Sequence, residues 1–210
     1  MSKFKTEQEE FWAGDFGNEY TNRNLGTYLV AANTALFSQV LSKTRKISSL
    51  IELGANRGMN LVAIHNLLPE LKIDAVEINQ QAVEELRVLG LGNVYHNSIL
   101  DFSTDIQYDL ALSKGVLIHI DPQSLNEVYS VLYKVSRKYI CLVEYYNPVP
   151  VEVEYRGNKN KLFKRDFAGD MLDKYPDLSL IDYGFVYHRD SNFPQDDLTW
   201  FLLAKKHQGR

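Results

Sequence analysis

An α/β fold built on a mainly parallel, seven-stranded sheet is predicted by three observations in this 210-residue chain. Apolar, strand-like runs alternate with helical patterns from residue 48 onward, which is the signature of parallel strands covered by crossover helices. A glycine-bearing turn, Gly54 to Gly58, follows the first run where such a sheet opens toward a ligand. The last two runs are joined by His188–Asp197, a polar loop too short for a crossover helix, so they pair antiparallel.

The strand candidates in order are Ser48–Leu53, Lys72–Ile78, Gly92–His96, Tyr108–Ser113, Lys138–Tyr146, Leu178–Tyr187 and Leu198–Lys205. After the first, a helix from near Arg57 carries Leu61, Ile64, Leu67 and Leu68 at helical spacing and ends before Pro69. Asn79 has the side chain to cap the next helix, whose apolar face is Ala82, Val83, Leu86 and Leu89 and whose stop is Gly90. A third is expected to open at Asp121-Pro122 and to continue through Leu125, Val128, Tyr129 and Leu132. Upstream, Thr6–Ala13 and Leu25–Leu41 read as two further helices that form an N-terminal cap. The expected organisation is one domain over 1–210, with the cap in 1–45, the core in 46–210 and an acceptor-side insertion at 149–170.

Composition narrows the function. Apolar content of 45% and charged content of 24% suit a soluble globular chain, and no stretch approaches the roughly 20 apolar residues of a membrane span. The only cysteine, Cys141, lies in the apolar run Tyr139–Val143, so neither an intramolecular disulfide nor a cysteine metal cluster can form. No metal site is expected, and the cytoplasm is the default compartment. A net charge of −4 provides no global attraction for phosphate backbones, so nucleic acid is not the expected partner. One local exception is the basic stretch Arg156, Lys159, Lys161, Lys164 and Arg165.

Candidate site residues fall at strand ends. Gly54 permits a tight bend, Gly58 permits close packing, and Asn56 tolerates left-handed backbone angles. The turn lacks the Gly-x-Gly-x-x-Gly that a dinucleotide pyrophosphate requires, and the acidic Glu52 would sit badly beside one. Glu77, at the end of the second run, is placed to accept hydrogen bonds from ribose hydroxyls, with Ile78 beside the base. Read singly, Glu52-x-Gly fits any α/β turn and Glu77 fits a solvated strand end. Their order at successive strand ends is what points to one ligand.

That order resembles class I S-adenosylmethionine-dependent methyltransferases, which have a Rossmann-like fold. The residues that carry it are Leu50–Gly58, Glu77, Asn97–Phe102 and Tyr108–His119, with Asn56 in place of a glycine and Ser98 where an Asp is common. The resemblance implies S-adenosylmethionine as cofactor and S-adenosylhomocysteine as product. It implies contacts to them from Glu52, Gly54, Ala55, Asn56, Gly58, Glu77, Ile78, Ser98, Ile99 and Ser113. In the cap, Tyr20 and Arg23 could reach the cofactor carboxylate or belong to a solvated helix face.

Methyl transfer is an in-line displacement, so the protein has to position the acceptor and accept a proton from an OH or NH group. His119, Glu144 and Tyr145 are the catalytic candidates, and His119 ionises in the useful range. Their alternative is pocket lining and strand-end packing. Tyr146-Asn147-Pro148 resembles the motif of nucleic-acid amino methyltransferases, but it follows the fifth strand, whereas that motif follows the fourth.

The flanks resemble a narrower family, the methylases associated with pseudaminic acid biosynthesis. The matching residues are Thr6–Asn24, Glu144–Pro148, Leu162–Phe167 and Phe193–Leu202. This implies a small-molecule acceptor, an acidic nonulosonic sugar or its nucleotide-linked form or precursor. Tyr146, Arg156, Lys164 and Arg165 would contact it, the cations through charge-assisted bonds. A solvated basic loop is the alternative for that stretch, and a non-catalytic cofactor-binding module or an RNA methyltransferase are the alternatives for the whole chain.

Overall fold

The computed structural model describes residues 4–23 and 26–206. A cap of three helices, α1 (Glu7–Ala13), α2 (Asp15–Arg23) and α3 (Thr27–Ser42), leads into β1 (Ser49–Leu53), α4 (Met59–Leu67), β2 (Lys72–Glu77), α5 (Gln80–Leu89) and β3 (Val94–His96). Then come β4 (Tyr108–Lys114), a 3-10 turn at Leu117–His119, α6 (Leu125–Val135) and β5 (Ser136–Glu144). A short hairpin of β6 (Val151–Glu152) and β7 (Phe163–Lys164) precedes α7 (Phe167–Lys174), β8 (Leu178–Val186) and β9 (Leu198–Lys205).

The main sheet has the order β3-β2-β1-β4-β5-β9-β8. β9 runs antiparallel to both β5 and β8, and the remaining pairs are parallel, as expected. Buried side chains alternate between the two faces. Ile51, Leu53, Ala111, Ile140 and Leu142 pack against Val128 and Leu132 of α6 and Met171 of α7. Leu50, Leu110, Leu112, Cys141 and Val143 pack against Leu36, Phe37 and Val40 of α3 and Leu61 and Ile64 of α4. Leu112 is fully buried in a central strand, so truncating it to alanine should cost about 2–5 kcal/mol. Among the described residues no helix is long and apolar enough to cross a membrane.

Several boundaries differ from the sequence expectation, each for a local reason. α1 starts where expected because Thr6 and Glu9 form a reciprocal capping box. The cap has three helices instead of two, the additional one being α2, which is polar overall; Asn24 and Leu25 lie outside the described residues. Asn79 does cap α5, accepting from the Ala82 N–H, and Gly90 ends it at a left-handed φ of 65°. α6 begins at Leu125, not at Pro122, because the Asp121 carboxylate accepts from Gln123 N–H and holds 121–124 as a turn. The 149–170 segment contains the small hairpin and the start of α7, where Asp166 accepts from the Gly169 N–H as N-cap.

Candidate active site

The strand order reverses at β1 and β4, and the carboxyl ends of β1, β2 and β4 open there into a cavity of about 730 Å³ roofed by the cap. Its first wall is the turn after β1, pinned to β2 by Gly54 N–H and Ala55 N–H, which both donate to Val76 O. Gly54, Asn56 and Gly58 have φ of 78°, 47° and 83°. A Cβ on Gly54 would lie 2.6 Å from a Val116 methyl, so the bare glycine is what lets this turn pack against Val116, which also lines the cavity. Gly58 does not line the cavity. A Cβ there would meet Leu86 and Leu89 at 2.7 Å, so it serves packing against α5.

Glu77 closes the end of β2 and ties the first two walls together. Its Oε2 accepts from Asn56 N–H at 2.7 Å, and its Oε1 accepts from Ile78 N–H and Asn79 N–H at 2.9 and 2.8 Å. Burial pushes its carboxyl up, and the three amides oppose that shift. Ile78, Ser98 and Ile99 line the adjoining wall. Ser98 accepts from Leu100 N–H and donates to Glu9 Oε1 of the cap.

Glu52 and Ser113 are fully buried below the floor and do not reach the cavity, contrary to the expectation of direct contact. Both lie in strands covered on both faces, Glu52 on the face of Leu50 and Ser113 on the face of Ala111. Glu52 accepts from Asn60 Nδ2 at 2.6 Å, and Asn60 itself lines the cavity. Burial pushes the Glu52 carboxyl up to about 7.

At the other end of the cavity His119 is 8% exposed, with its ring between Trp12 of the cap at 4.5 Å and Tyr155 of the hairpin at 4.9 Å. Its Nδ1 lies 2.6 Å from the Lys161 carbonyl, which can only accept, so Nδ1 carries the proton and Nε2 presents a lone pair. Burial pushes its pKa down to about 4. Tyr145 and Tyr20 also line this end, and Tyr20 meets Trp12 edge-on at 5.2 Å. Burial, followed by the nearby Asp196, raises the Tyr145 phenol well above its usual range.

Glu144 is a correction. It does not line the cavity, because its Oε1 accepts from Val116 N–H and Leu117 N–H at 3.0 Å and so anchors the turn that carries His119. Arg23 is another: it pairs with Glu19 and lies over Phe16 on the outside of the cap. The basic stretch separates. Arg156 lines the cavity, Lys164 lies over the outer ring face of Tyr145 without reaching the cavity, and Arg165 pairs with Asp170 at 2.8 Å. Tyr146 packs beside Phe201 and is 42% exposed, away from the cavity.

The sequence reading missed Trp12, Tyr155, Glu9, Asp196 and Lys114, all in the wall. Lys114 follows Ser113 at the end of β4, so the strand-end rule extended by one residue would have found it. Its ammonium forms no hydrogen bond or ion pair at bonding distance among the described residues, although Glu52, Asp196 and Glu144 lie within electrostatic reach.

No family model matches the sequence and no curated protein is significantly similar to it. Solved structures are similar in fold. A 1,6-didemethyltoxoflavin-N1-methyltransferase from Burkholderia thailandensis, with bound 1,6-didemethyltoxoflavin and S-adenosylhomocysteine, aligns over 98% of this chain and 93% of its own, with a TM-score of 0.69 and 13% identity. The plantazolicin methyltransferase BpumL, in complex with a pentazolic analogue and SAH, aligns over 95% of both chains with a TM-score of 0.65 and 15% identity. An S-adenosylmethionine-dependent methyltransferase from Clostridium acetobutylicum aligns over 91% of this chain and 99% of its own, with a TM-score of 0.62 and 12% identity. None of the three is described as acting on a sugar, and the likeness to the pseudaminic acid family finds no counterpart among them. The chain has the fold that these methyltransferases share.

Proposed function

We propose that this chain is an S-adenosylmethionine-dependent methyltransferase acting on a small molecule. The observation that carries the reading is the Glu77 carboxylate, locked by three backbone amides beside the cavity-lining Gly54 turn. The residues fit the cofactor. Gly54, Ala55 and Asn56 line the cavity where the methionine portion would lie; the fixed carboxylate suits a ribose diol, and Ile78 and Ile99 suit a flat base. Glu52 and Gly58 shape this site from behind without touching it. When bound, the cofactor supplies an electrophilic methyl group on a sulfonium.

The chain's own contribution is placement. Trp12, Tyr20, Tyr145 and Tyr155 make an aromatic wall that excludes water from the acceptor end. The His119 Nε2 lone pair, fixed by the Nδ1 bond to Lys161 O, accepts a hydrogen bond from an acceptor O–H or N–H and turns its nucleophilic lone pair toward the methyl.

The acceptor we infer carries an anionic group, and an acidic nonulosonic sugar or its nucleotide-linked form fits the resemblance of the flanks. Support comes from Lys114 and Arg156, two cations of the wall that form no ion pair among the described residues, whereas Arg57 is paired with Glu85 and Glu77 is held by amides. An RNA acceptor has less support, because Lys161 and Arg165 of the basic stretch are spent on Glu7 and Asp170. The test is transfer of labelled methyl from S-adenosylmethionine into a panel of nonulosonic acids, their nucleotide-linked forms, their precursors and neutral sugars. Transfer to a different metabolite alone would remove the sugar assignment, and absence of S-adenosylmethionine binding would remove the enzyme assignment.

A further inference from the structure

The base end of the cavity is fixed by the pairing of β2 with β3. Glu77 lies opposite His96, and Asn97 N–H donates to Glu77 O, so Ser98–Leu100 sits beside Glu77 and Ile78. Ile78, Ile99 and Leu100 make an apolar slot there. Nearly all the polar groups around the slot are already used. Asn79 spends its oxygen on the α5 cap and its amide on Trp12 O and Asn18 Oδ1. Ser98 spends its proton on Glu9 and a lone pair on Leu100 N–H.

Glu9 is the exception. It comes from the cap, lines the cavity and is 6% exposed. Its Oε2 accepts from Lys5 N–H and Thr6 N–H at 2.8 and 2.9 Å, while its Oε1 accepts only from Ser98. No cationic side chain pairs with it among the described residues, since Lys5 Nζ is engaged by Asp101 and Leu100 O. A buried carboxylate with a spare lone pair and no counter-ion calls for a donor from the ligand.

We propose that Glu9 reads the exocyclic amino group of the cofactor's adenine, so that the cap itself carries the base-recognition group. This rests on the cofactor reading above. Adenine presents an N–H donor at that edge, whereas hypoxanthine presents a carbonyl oxygen that would face the carboxylate. The same helix is held to the hairpin by Gln8 Nε2 donating to Asn160 O at 3.0 Å and by the Lys161–Glu7 pair. Occupation of the base slot therefore also holds the cap against the hairpin.

The experiment is calorimetric titration of the full chain with S-adenosylhomocysteine and with S-inosylhomocysteine, its hypoxanthine counterpart. The wild type should prefer the adenine form by about 10–100-fold, the value of one hydrogen bond to a charged group. Glu9→Gln retains a side chain able to complete the capping box, so the helix persists, and it should narrow the preference to within about threefold. Adding Ser98→Asp to that variant, which returns a carboxylate to the same spot, should restore it. Equal affinity of the wild type for both nucleosides, or an undiminished preference in Glu9→Gln, would overturn the role of Glu9 while leaving the cofactor reading in place. Binding of neither nucleoside by the wild type would overturn both.

Discussion

His119→Phe gives a direct measure of how the buried imidazole is held. In the unfolded chain imidazole protonates near pH 6.5, and in the fold burial pushes that value down to about 4. Between the two values the unfolded chain binds the proton and the folded chain does not, so stability is lost as pH falls through this window. Lowering the pH from about 7.5 to about 5 crosses roughly 1.5 units of it, at about 1.4 kcal/mol each, for a loss of about 2 kcal/mol. Phenylalanine keeps a ring between Trp12 and Tyr155 and abolishes the titration. It also orphans the Lys161 carbonyl, a pH-independent cost of about 1–3 kcal/mol. Glu52 and Glu144, both pushed up to about 7 by burial, work in the opposite sense, since their cost appears as pH rises. Their contribution is common to both proteins and cancels in the difference. Urea unfolding followed by tryptophan fluorescence at the two pH values should therefore show the wild type losing about 2 kcal/mol more than the variant. Parallel losses in the two proteins would refute the buried, neutral His119.

Three substitutions test the walls, and a fourth, outside them, is the control. Gly54→Ala places a Cβ against Val116 at a φ of 78°, costing about 1–2 kcal/mol in backbone strain and weakening S-adenosylhomocysteine binding by tenfold or more on calorimetry, both about as expected for a blocked left-handed position. Lys114→Met should lower kcat/KM for the acceptor by about tenfold or more while leaving the S-adenosylhomocysteine Kd within about threefold, since a charge-assisted bond to the acceptor is what it removes. Arg156→Ala should raise the acceptor KM, whereas Arg165→Ala, which breaks only the pair with Asp170, should leave it unchanged in steady-state assays.

The parts of the molecule legible in the sequence are those set by local rules. The turn from Gly54 to Gly58 is readable because positive φ at three positions demands Gly or Asn, and all three positions have them. The hairpin of β8 and β9 is readable because loop length decides between pairing and crossover. Strand alternation could have warned that Ser113, one position before the cavity-lining Lys114, turns inward; Glu52, two positions before Gly54, carries no such warning. The basic stretch misled because a run of charge in sequence passes through a hairpin, whose residues diverge in space. Arg156, at a φ of 51° in the hairpin turn, reaches the cavity, while Lys164 and Arg165 return along the other strand toward Tyr145 and Asp170. Contacts such as Glu9 with Ser98, 89 residues apart, leave no periodic trace.

The acceptor end has a property that neither the sheet nor the cap has alone. Its aromatic stack takes Trp12 from α1, His119 from the turn after β4 and Tyr155 from the β6–β7 hairpin. The three segments are joined by polar links that all pass through 160–161: Lys161 O accepts from His119, Lys161 Nζ pairs with Glu7, and Asn160 O accepts from Gln8. Moving α1 away would remove one face of the stack and expose Lys161, a residue now 9% exposed, so cap closure and His119 enclosure form one structural event. Because the same helix contributes Glu9 at the base end, a ligand in the base slot favours the arrangement that completes the acceptor wall. Under the function proposed above, the binding order that this geometry favours is cofactor before acceptor.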